Sequence, residues 1–106
     1  MAKRNEKLIS ALEIAIEASN ICGIIHDRTG ARKIPLDDVA EEMGRGITKK
    51  HIQEGFWLLV EMGYLGDDGD EDHMNYEDGN ELTDLLQKIK IEEMSKDAES
   101  PEIEYY

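Results

Sequence analysis

The feature that most constrains this chain is a stretch of about twenty residues, Asn5 to Ile25, with no proline and a single glycine, Gly23. Good helix formers dominate it, and the stretch predicts a first helix. On a helical wheel Leu8, Ile9, Ala11, Leu12, Ile14, Ala15, Ile16, Ala18, Ile21, Cys22 and Ile25 sweep roughly 240°. A narrow polar stripe of Ser10, Glu13, Glu17 and Asn20 is all that remains. One packing surface covers far less than this arc. The helix is therefore expected to be buried on two sides, by its own domain and by either a C-terminal helix or a second subunit.

A chain of 106 residues suits one compact domain with a modest core. Cys22 is the one cysteine, which excludes an intrachain disulfide framework. The longest unbroken apolar run, Phe56 to Val60, is five residues, where a membrane span needs about 20. Met1-Ala2-Lys3-Arg4 has the basic character of a targeting segment, but Glu13 and Glu17 interrupt the apolar region that an export signal needs. The expectation is a soluble, cytoplasmic protein.

Downstream, His26 to Lys33 reads as a polar loop, and Ile34 before Pro35 as extended chain. A short second helix is expected over Leu36–Met43, with Leu36, Val39, Ala40 and Met43 on one face, Asp37 and Asp38 in its first turn, and Gly44 stopping it. Gly44-Arg45-Gly46 is the turn. A third helix follows from Thr48, an N-cap residue, to Met62, with Ile52, Gly55, Phe56, Leu59 and Met62 inward and Gly63 ending it. Tyr64-Leu65 and His73 to Tyr76 flank a turn-rich acidic run, which predicts a hairpin of two short strands. Leu82, Leu85, Leu86 and Ile89 mark a last helix over about 80–94. The division expected is a domain over residues 1–94 and an acidic, disordered tail over 95–106.

The order helix, strand, two helices joined by a tight glycine turn, hairpin, helix resembles a winged helix-turn-helix domain. Ile34-Pro35-Leu36-Asp37-Asp38-Val39-Ala40-Glu41-Glu42-Met43-Gly44 resembles the second helix of that superfamily. Ile52, Gly55, Phe56 and Leu59, then Met62-Gly63-Tyr64-Leu65, are similar to its recognition helix and first wing strand. The resemblance implies a mainly α fold with a small β-hairpin. It also implies a DNA-binding role, a small transcriptional regulator whose helix 48–62 reads the major groove. Lys50 and Gln53 would then address base edges, while Arg45, Lys49 and the amides near Thr48 hold phosphates. Such a regulator is expected to form a homodimer through helix 5–25 and helix 80–94.

Charge points elsewhere. The chain carries a net charge of −13. Residues 1–60 hold nine cations and nine acids, whereas residues 61–106 hold three cations and sixteen acids. Asp67, Asp68, Asp70, Glu71 and Asp72 would occupy the tip of a wing, and phosphate contacts normally come from cations. Trp57 lies opposite the inward stripe with Val60 one turn away, and an exposed Trp on a charged face suits a binding hot spot. The alternative is thus an acidic protein-interaction module: an adaptor, or a nucleic-acid mimic that antagonises a basic protein. Its partner-binding residues would be Trp57, Val60, Asp67, Asp68, Asp70 and Asp72.

Asp68, Asp70 and Asp72 alternate like the opening of a calcium loop, but His73 and Gly79 stand where glycine and a bidentate Glu are required. Cys22 and His26 share a helix face, and two ligands make no zinc site. No metal, no cofactor and no catalytic constellation is expected.

Overall fold

The computed structural model describes residues 5–66, 71–75 and 79–99, the side chains at 79, 80 and 96–99 excepted. It is mainly helical with a small two-stranded antiparallel sheet. The elements are α1 (Glu6–Thr29), β1 (Lys33–Pro35), α2 (Leu36–Met43), α3 (Lys49–Glu61), β2 (His73–Asn75) and α4 (Gly79–Glu99).

Helix α1 is one turn longer than its apolar pattern suggests. His26 to Thr29, expected as loop, form its last turn because backbone and side chains close it: the Gly30 amide donates to the His26 carbonyl at 2.7 Å and the Thr29 hydroxyl to the Ile25 carbonyl at 2.8 Å. The His26 ring donates through Nδ1 to the Ala31 carbonyl at 2.7 Å. Gly30 at φ 76° makes the left-handed cap, a conformation glycine adopts without steric cost. At the other end Asn5 is the N-cap, its side-chain oxygen accepting from the Leu8 amide.

The wide apolar arc has an intramolecular explanation, because α1 serves two cores. Ala18, Cys22 and Ile25 pack with Ile34, Leu36, Val39, Met43, Ile52 and Met74. Leu8, Leu12 and Ala15 pack with Leu59, Leu86 and Ile89. Phe56 touches both clusters. The second cover is α4 of the same chain, so the width of the arc needs no second subunit. By length and composition α1 is apolar enough to cross a membrane, although no unbroken apolar run reveals it, and half of the relevant window is buried inside the protein.

Helix α4 runs past Met94 to Glu99, so residues 95–99, expected in a disordered tail, are helical, and 100–106 lie outside the described residues. Its key polar residue is Glu93, only 3% exposed, which accepts the Asn5 amide at 2.6 Å. This carboxylate satisfies a backbone donor at the positive end of α1, completing the N-cap from a different helix. Because losing the acceptor leaves the Asn5 amide without its partner, Glu93→Ala should lower the unfolding free energy by about 2 kcal/mol in urea denaturation, with Glu93→Gln, which keeps an acceptor oxygen, losing less.

The small antiparallel sheet is present, but among the described residues Tyr64-Leu65, expected as its first strand, is not a strand. The amides of Tyr64 and Leu65 donate to the Leu59 carbonyl at 2.9 and 3.4 Å, and Gly63 at φ 86° turns the chain at the end of α3. Those donors are spent on capping α3 and cannot ladder with β2. Strand β2 pairs instead with β1, in the register Lys33 with Asn75, Ile34 with Met74 and Pro35 with His73. Ile34 and Met74 both point into the core. Tyr76 and residues 67–70 lie outside the described residues. Met62, expected inward, is 43% exposed, since the helix ends there and turns it out.

Cys22 sits in the first core, and burial pushes its thiol up to about 11. Little reactive thiolate is present at pH 8. Native protein should label with Ellman's reagent about a hundredfold more slowly than urea-unfolded protein; equal rates would show that the α1–α2 core opens freely.

Candidate interaction surface on helix α3

The two ends of α3 do different work. At its start Thr48 is the N-cap, and its amide donates to Nδ1 of His51 at 3.0 Å. His51 thus takes the place usually held by Glu or Gln in a capping box, accepting through Nδ1. Thr48 and His51 are both exposed, and their hydrogen bonds are spent on holding the helix end.

The cations expected to contact DNA, Arg45 and Lys49 at phosphates and Lys50 at base edges, all have carboxylate neighbours. Arg45 stands in the left-handed region at φ 54° between Gly44 and Gly46, and its Nη2 lies 2.5 and 2.6 Å from the two oxygens of Glu17 on α1. Lys49 Nζ is 2.5 Å from Asp72, and this hydrogen bond raises its pKa above the ordinary lysine value. Lys50 faces Glu54 one turn on, at 3.9 Å. Gln53 donates to the Glu71 carbonyl at 2.6 Å, and the Leu36 amide donates to the Asp72 carbonyl at 2.8 Å. Residues 71 and 72 thereby clasp α2 and the first half of α3, engaging Lys49 and Gln53 together.

What this leaves on the solvent face of α3 is Lys50, Glu54, Trp57 and Glu61, all exposed. Of these, Trp57 is 62% exposed. It stands on the edge of a groove of about 540 Å³ between α3, the chain that follows it, β2 and the start of α4. Phe56, Val60, Leu65, Met74 and Leu82 supply the apolar walls, and Glu54 and Glu71 also line it. That volume lies in the range of sites that hold a few side chains or a small ligand.

Of the residues expected to bind a partner, the structure brings Trp57 and Val60 to this groove and spends the Asp72 carboxylate on Lys49; Asp67, Asp68 and Asp70 lie outside the described residues. Sequence reasoning missed Leu65, Met74 and Leu82 as walls, because they reach the groove from three separate elements and share no periodicity with α3. Among the described residues no group of three or more His, Cys, Asp or Glu side chains could hold a metal ion. Comparison with family models, with curated proteins and with solved structures gives no match to this chain.

Proposed function

We propose that this chain is a protein-interaction module of winged-helix build, working in the cytoplasm, that docks its partner over the C-terminal half of α3. The observation that carries the reading is the exposed Trp57 beside an apolar groove. Large aromatic side chains left in water next to a concave apolar surface are favoured as anchors, since they bury much area at low entropic cost. Electrostatics supports the same reading. Each of Arg45, Lys49 and Lys50 has a carboxylate within 4 Å, whereas a phosphate backbone is held by cations that release counterions.

A second reading, a DNA-binding regulator, is favoured by one specific observation: α2 and α3 are joined by a tight turn and followed by a strand, as in helix-turn-helix domains. The ion pairs are exposed, and pairs of that kind contribute little, so phosphates can displace them. A titration of random-sequence duplex separates the two. At about 50 mM salt, where non-specific binding is strongest, the duplex is expected to leave the emission of Trp57 and the anisotropy of the DNA unchanged. Binding that weakens at about 200 mM salt and disappears in Lys49→Glu/Lys50→Glu would instead establish the second reading.

A further inference from the structure

We propose that the groove beside Trp57 takes a cationic segment of a partner protein, with Lys or Arg flanking a bulky apolar side chain that inserts between Trp57, Phe56 and Leu82. This rests on the reading of α3 as a protein-docking face and adds the chemistry of what docks there. The walls are apolar, so a purely polar ligand would forfeit the burial they offer. Among the described lining residues there are two carboxylates, Glu54 and Glu71, and no Lys or Arg. Glu54 is well exposed, and its contact with Lys50 is a long 3.9 Å, so it is available to an incoming cation. Lys49, the nearest other cation on this helix, is held by Asp72. An indole face at the edge adds a favourable seat for a guanidinium or ammonium group.

Charge also decides among occupants. The chain's own end, Ser-Pro-Glu-Ile-Glu-Tyr-Tyr at 100–106, carries two acids and no cation. A second copy brings a net charge of −13 to a site lined by acids. Both meet like charge where a basic partner meets its complement, and charge complementarity governs encounter and discrimination. The occupant is therefore neither the tail nor a second copy, but a basic segment from another protein.

Trp57 is the only tryptophan, so its fluorescence reports on the groove directly. The test titrates full-length protein with three synthetic peptides of equal length, one alternating Lys and Leu, one Lys and Ser, one Glu and Leu. The Lys/Leu peptide is expected to shift the Trp57 emission to the blue, and the other two to bind about tenfold more weakly or less. In Glu54→Lys/Glu71→Lys, two exposed substitutions, the preference should reverse towards the Glu/Leu peptide by about tenfold, or about 1.4 kcal/mol. An equal response to the Lys/Ser peptide would overturn the apolar anchor, and an equal response to the Glu/Leu peptide the charge selection; both outcomes leave α3 as a docking face. No Trp57 response to any peptide also overturns the inference. If in that case duplex DNA perturbs Lys50 and Gln53, the docking reading of α3 falls with it.

Discussion

Leu12→Ala is expected to destabilise the protein by about 3–4 kcal/mol and to lower its thermal midpoint by about 15 °C or more, followed by circular dichroism. Leu12 is completely buried where α1 meets Leu59 of α3 and Leu86 and Ile89 of α4. The substitution removes a buried isobutyl group and leaves a cavity between α1, α3 and α4, and the contacts that α1 makes with both other helices limit how far they can close it. Total stability of a domain this size is only about 5–15 kcal/mol, so the loss is a large fraction. A change near 1 kcal/mol would mean that α4 readjusts onto α1 without its packing partner, and that the second core is much softer than its burial indicates.

Gly55→Leu should cost about 3 kcal/mol, whereas Gly55→Ala should be neutral or add up to about 1 kcal/mol of stability. A Cβ at Gly55 would lie 3.5 Å from the Ala11 carbonyl oxygen and 3.7 Å from Ile14 Cγ2, which is ordinary contact. A methyl group therefore fits, and alanine gains helix propensity over glycine. Further atoms have nowhere to go, because α1 backbone sits directly over the position. Denaturant midpoints for the pair measure how closely α3 crosses α1. If leucine proved as benign as alanine, the crossing would be loose, and α3 would be free to move relative to the rest of the fold.

The parts of this architecture readable from sequence are those whose causes are local. Thr48 before a periodic apolar run and Gly63 after it bracket α3, because caps and amphipathic spacing act within one or two turns. The exposure of Trp57 follows from the same spacing. The strand pairing was not readable. Hairpin signals presume that neighbouring extended segments pair, and nothing near Tyr64 announces that the Leu59 carbonyl takes its amide and leaves β2 to Lys33–Pro35. Glu93 reads as one more acid in an acidic region, and its contact with the Asn5 amide joins residues 88 positions apart. In the candidate site the same division holds. Lys49 and Gln53 were legible as the outward side of α3, but their engagement by Asp72 and Glu71 joins residues whose contact is set by the tertiary fold.

The antiparallel seating of α4 on α1 has a consequence for how the molecule is made. Leu8, Leu12 and Ala15 leave the ribosome before Leu86 and Ile89, the side chains of α4 that cover them. Until α4 is made, the nascent chain carries a helix long and apolar enough to resemble a membrane anchor, without the cover that Leu86 and Ile89 provide. Exposed apolar surface of this kind recruits chaperones and membrane-targeting factors. Translation through α4 thus completes the α1 cover, and a stall before residue 86 releases a chain whose stickiest segment is still open to the cell.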